Sequence, residues 1–86
     1  NPQKVYIYPA YMSRPLAFYA PELPLKKLAV DCGKEAFPAK NAGEVIALVV
    51  SHDRGQGECF KREIELSTGV TPEFRIQKDI NVYIYR

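Results

Sequence analysis

Residues 45–66 read VIALVVSHDRGQGECFKREIEL, and the fold turns on how this stretch divides. Val45 to Val50 is an unbroken apolar run rich in β-branched residues, which suits a central strand covered on both faces. It is far too short to span a bilayer, so no membrane insertion is expected. Phe60 to Leu66 alternates, with Phe60, Ile64 and Leu66 on one side and Lys61, Glu63 and Glu65 on the other. Arg62 interrupts the apolar side, where the strand would reach the rim of the sheet. The polar, glycine-bearing segment Ser51 to Glu58 fits a long hairpin connection. A strand, a hairpin loop and a second strand are therefore predicted here.

Outward from this unit the same signals recur. Lys4 to Tyr8 alternates Val5 and Ile7 with Tyr6 and Tyr8, the period of a half-buried strand, and Pro9 limits it. Leu16 to Ala20 lies between Pro15 and Pro21, which predicts a strand at a sheet edge. Leu25 to Cys32 is predicted as a third strand, with Leu28, Val30 and Cys32 sharing a face. Lys34 to Gly43 reads as a loop with one short turn, because Pro38 forbids a longer helix, and Phe37 is expected to dip into the core. Ser67 to Gly69 turns the chain, Phe74 to Gln77 forms a short strand, and Ile80 to Tyr85 closes it with Ile80, Val82 and Ile84 inward. The fold predicted is all-β, a compact six-stranded β-sandwich of two small antiparallel sheets, as a single domain over residues 1–86.

With 86 residues, nearly half of them apolar, the chain is expected to fold as one globular unit. Twelve basic and ten acidic side chains are interspersed without a block of either sign. That balance gives no concentrated positive patch for nucleic acid, and the doublets Lys26-Lys27 and Lys61-Arg62 read as solvated strand surface. The start at Asn1, with no initiator Met or apolar leader, is what removal of a signal peptide would leave.

So small a domain gains much from a covalent staple, and Cys32 and Cys59 can supply one. Their bond would close a loop of roughly 28 residues, worth about 3 to 4 kcal/mol by chain entropy, and would place the protein in an oxidising compartment outside the cell. Two free thiols in a cytosolic protein are the alternative. With no CxxC pair and a single histidine, no metal site and no cofactor are expected.

Catalysis has few carriers. His52, Arg54 and Glu63 could serve a small ribonuclease-like enzyme, two groups exchanging protons while the cation steadies a phosphate, but polar hairpin loops are polar because they face water. Gly55-Gln56-Gly57 lacks the rest of a dinucleotide fingerprint. The reading is not an enzyme. The tyrosines are more informative. If Val5, Ile7, Val82 and Ile84 face the core, then Tyr6, Tyr8, Tyr83 and Tyr85 face outward, and neighbouring terminal strands would join them in one aromatic binding patch. Tyr19 and Lys26, on the edge segments 16–20 and 25–30, extend the candidate binding surface.

Taken together, Glu44 to Gly69 resembles the MAX effectors, small secreted β-sandwich proteins of plant-pathogenic fungi: an apolar fourth strand, a polar loop, a cysteine directly before an alternating fifth strand, then a Thr-Gly turn. The repeated Val-Tyr-Ile-Tyr at residues 5–8 and 82–85 adds to the likeness, because that family pairs its first strand with its sixth. The family usually ties a cysteine of its first strand to the one before its fifth, whereas here the partner of Cys59 could only be Cys32. The resemblance implies a secreted virulence protein, translocated into host cells, that binds host proteins such as heavy-metal-associated domains of immune receptors through strand edges, and a monomer is expected. A bacterial periplasmic inhibitor or adhesin module of similar shape is a further reading.

Overall fold

The computed structural model describes residues 2–12, 14–15, 18, 20–28, 31–34, 36–51 and 56–86. Its elements are β1 (Lys4–Tyr8), a 3-10 turn (Ala10–Met12), β2 (Leu25–Lys27), β3 (Ile46–Ser51), α1 (Gly57–Thr68), β4 (Glu73–Gln77) and β5 (Ile80–Tyr85). The strands make one five-stranded sheet in the order β2-β1-β3-β5-β4. β1 runs parallel to both β2 and β3, while β5 runs antiparallel to β3 and β4. The two-sheet antiparallel sandwich is thus replaced by a single mixed sheet with a helix on it.

Topology explains why residues 57–68 are a helix and not a strand. β3 and β4 are both antiparallel to β5, which lies between them, so they point the same way. Joining parallel strands takes a crossover of a dozen or more residues, which a hairpin cannot supply. The sequence allows the helix because Phe60 and Ile64 stand four residues apart, one helical turn. Gly57, Phe60 and Ile64 form its buried side. Leu66, inward in the strand reading, is 78% exposed, and Arg62 no longer interrupts anything because it too faces water.

Both ends of α1 are defined locally. Gly57 lies against β3, where an added Cβ would stand 3.2 Å from a methyl of Val50. At the other end Gly69 takes the left-handed conformation with φ of 73° and donates its N–H to the Glu65 carbonyl, a closure that glycine makes without steric penalty.

The other predicted strands divide. β1, β3, β4 and β5 lie within a residue of the expected bounds, and β3 has both faces covered as its composition requires. Of the predicted Leu25 to Cys32 strand the described residues are strand over β2, after which Leu28 enters the core and Cys32 lies in a turn, and Val30 falls outside the described residues. The predicted edge strand Leu16 to Ala20 is contradicted at Phe18, which is helical like Arg14 and Pro15; Leu16, Ala17 and Tyr19 fall outside the described residues. Phe37 does reach the core, packing edge-on to Tyr6 with ring centres 5.1 Å apart.

The core has two layers, one on each side of the sheet. Under α1 lie Tyr6, Leu28, Ile46, Leu48, Val50, Tyr83 and Tyr85 with Phe60 and Ile64. On the far side Val5, Ile7, Ala47 and Val49 pack with Leu23, Leu25, Ile80 and Val82. The helix assignment makes a sharp prediction for denaturant unfolding. Ile64→Ala should cost about 3 kcal/mol by leaving a cavity, and Leu66→Ala less than about 0.5 kcal/mol, as exposed sites do. Comparable losses at the two positions would restore the strand.

Candidate functional site

The tyrosines expected on an exposed patch are mostly inside. Tyr6, Tyr83 and Tyr85 are 5%, 4% and 0% exposed. Alternation correctly separates them from Val5, Ile7 and Val82, but α1 covers the tyrosine face while the aliphatic face builds its own layer. The first and last strands are not neighbours either, since β3 lies between β1 and β5. Tyr8 is half-buried against Phe60, ring centres 4.9 Å apart. Tyr19 lies outside the described residues.

What the buried phenols do is tie β5 to α1. The Tyr83 hydroxyl donates to Glu58 Oε2 at 3.0 Å, and the Tyr85 hydroxyl donates to the Lys61 carbonyl at 2.9 Å. Burial, and then the hydrogen bond and negative charge of Glu58, push the Tyr83 phenol up to about 12. Burial first, with the Glu65 carboxylate next, pushes Tyr85 up as well.

Among the described residues, the two edges of the sheet offer surfaces for a partner. At one edge Tyr6 and Lys26 face each other in register, and with Lys27, Leu28 and Pro38 they line a hollow of about 340 Å³. The edge strand here, β2, has only three residues, two of them lysines, a short charged edge of the kind that resists further pairing. At the opposite edge every residue of β4 is exposed, including Phe74 at 51% and Ile76 at 62%.

The register places Phe74 and Ile76 on the α1 side of the sheet, Phe74 across from Tyr83 and stacked on it with ring centres 5.1 Å apart. Glu73 and Arg75 take the other face, where Glu73 pairs with Arg75 at 3.1 Å and with Arg86 at 2.6 Å. Between α1 and β4, Glu58, Lys61, Thr71, Pro72, Phe74 and Tyr83 enclose a hollow of about 250 Å³. Alternation marks Phe74 and Ile76 as one face of a strand but does not say that the strand lies at the edge of the sheet.

The disulfide is formed, joining Cys32 to Cys59. Glu63 Oε1 approaches the Cys32 sulfur at 3.6 Å, a contact and not a hydrogen bond, because a disulfide sulfur carries no proton. The two sulfurs and this carboxylate lie within 4.8 Å of one another. With the sulfurs bonded to each other they offer no thiolate to a metal. Glu63 lies against the disulfide, and His52 and Arg54, its companions in the ribonuclease reading, lie outside the described residues. No helix is long and apolar enough to cross a membrane among the described residues. The chain matches no family model, and no curated protein or solved structure is significantly similar to it.

The phenols set an alkaline limit. The Tyr83 phenol titrates near 10 when unfolded and about 12 when folded, so the folded state binds the extra proton between these values and stability falls with rising pH. That contribution should be intact below pH 10 and decline through pH 12. Tyrosinate absorbance and thermal melts across this range would check it, and Tyr83→Phe should flatten the decline. A melting temperature independent of pH there would refute the coupling.

Proposed function

We propose that this chain is a secreted, disulfide-closed binding domain that holds another protein by accepting one of its extended segments along the β4 edge. The observation that carries the reading is the row of exposed β4 residues, with two large apolar side chains, Phe74 and Ile76, on one face of a strand that has no neighbour on its outer side among the described residues. An open strand edge offers a partner main-chain hydrogen bonds, each worth about 0.5 to 1.5 kcal/mol net. The apolar pair and the adjoining hollow give side chains of the incoming strand a place to settle, which supplies selectivity.

The Cys32–Cys59 bond supports an oxidising compartment. The resemblance to the MAX effectors names the partner class, a host plant protein, with heavy-metal-associated domains of immune receptors as the first candidates. Because the sheet differs in topology from that family's sandwich, the reading rests on the edge and not on the fold.

Exchanging both Phe74 and Ile76 for Lys tests it. In pull-downs from host plant extract the wild type should retain a host protein, and the double variant should bind that protein at least about tenfold more weakly, as loss of apolar anchors does. Both positions are exposed, so the melting temperature should shift by only a few degrees. Equal retention by the two proteins would exclude β4 as the docking edge.

A further inference from the structure

We infer that β4 also pairs with β4 of a second copy of this chain, in one antiparallel register that joins the two sheets into a continuous one. The inference rests on the open β4 edge invoked above and not on the identity of any host partner. It replaces the monomer expected from the sequence with a reversible dimer.

The pairing inside the sheet determines which backbone groups remain for a second copy. β4 and β5 are joined by the two-residue turn Lys78-Asp79, so the closing pair, Gln77 and Ile80, exchanges both of its hydrogen bonds. Bonding then alternates along the ladder. Arg75 exchanges bonds with Val82 and Glu73 with Ile84, whereas Phe74 and Ile76 turn their N–H and C=O groups away from β5. The outward main-chain groups of the edge therefore belong to its two apolar residues.

An antiparallel copy can meet those groups in registers centred on Phe74, Arg75 or Ile76. Centring on Arg75 sets each guanidinium directly opposite its counterpart, a destabilising like-charge pair. Centring on Ile76 sets Phe74 opposite Lys78 of the turn. Centring on Phe74 matches every position. Phe74 meets Phe74 on the α1 side, and on the other face Glu73 of each copy lies opposite Arg75 of the other. Glu73 already pairs with Arg75 of its own strand at 3.1 Å, so charges of alternating sign close a ring across the two strands. A carboxylate has several acceptor sites and a guanidinium several donors, which leaves capacity beyond the bonds each makes within one copy.

The hollow between α1 and β4 agrees with the same register. Ile76 of the second copy comes opposite Pro72 and on the side of Phe74, where Thr71, Pro72, Phe74 and Tyr83 line that hollow. Pro72 has no N–H that would need an acceptor from the second copy, while its carbonyl can take the N–H of Ile76. The contact is self-complementary, Glu73 to Arg75 and Arg75 to Glu73, as a two-fold interface requires. A strand of unrelated sequence offers no such match, which singles out a second copy. An interface one strand wide belongs to the weak class, with a dissociation constant between about 1 µM and about 1 mM.

Sedimentation of the wild type across that range should show monomer passing to dimer, with hydrogen exchange at the Phe74 and Ile76 amides slowing as the dimer fills. Charge exchange tests the register. Glu73→Arg gives each edge two cations and Arg75→Glu two anions, so either variant alone should dimerise at least about tenfold more weakly. An equimolar mixture should recover the dimer as a heterodimer, because each cation again faces an anion. A misfolded variant could not give this rescue. A wild type still monomeric at about 1 mM, single variants that dimerise like the wild type, or a mixture that stays monomeric would each overturn the pairing. Host docking is read separately, from the Phe74, Ile76 double variant in the pull-down. Host retention that depends on these residues in a protein that never dimerises leaves the edge to host segments alone. Dimerisation without host retention leaves the second copy as the occupant and removes the host reading.

Discussion

Phe60 and Ile64, on one side of a helix of twelve residues, seat α1 on the sheet, and the remaining architecture depends on that contact. Both are fully buried in the layer formed by Tyr6, Leu48, Tyr83 and Tyr85. Without that cover the tyrosine face would be wet, and β3 and β4 could not lie parallel with β5 between them, because the chain would have no path back to the start of the sheet. The same packing brings Cys59 to Cys32 and sets the carbonyl of Lys61 and the carboxylate of Glu58 over the phenols of β5.

Four strands were legible, three of them from plain patterns. Lys4 to Tyr8 and Ile80 to Tyr85 alternate strictly, and Val45 to Val50 is short, continuous and β-branched. Phe60 to Leu66 admits two periods. Phe60, Ile64 and Leu66 fit a period of two if Arg62 is forgiven, and Phe60 with Ile64 fits a helical turn if Leu66 is forgiven. The exposed Leu66 was the apolar residue to give up. Propensity pointed to the helix, since Glu58, Lys61, Arg62, Glu63 and Glu65 are all good helix formers and Gly69 is a fitting C-terminal stop. What outweighed it in the sequence reading was the glycine-rich loop before it, which serves a hairpin and a helix entry equally well.

The candidate surfaces were half legible for a related reason. Alternation assigns residues to faces without saying which face is dry, and that depends on elements elsewhere in the chain. Tyr6, Tyr83 and Tyr85 were therefore grouped correctly and placed on the wrong side of the solvent boundary. The disulfide was legible because a small domain with two cysteines has few other uses for them. Its neighbour Glu63 was not, because the 3.6 Å approach to Cys32 joins residues from opposite ends of a long loop and exists only once α1 has formed.

α1 also unites features that the sequence keeps apart. Its buried side anchors the core, its first turn carries the exposed sulfur, and its side chains Glu58 and Lys61 form one wall of the hollow beside β4. A partner strand at that edge would press on the same residues that hold the Tyr83 hydroxyl and border Cys59. Seating a strand there excludes water from the Glu58–Tyr83 contact and lowers the local dielectric, which strengthens that hydrogen bond. Binding at the edge is then tied to the core through one helix, by way of the Tyr83 hydroxyl on Glu58.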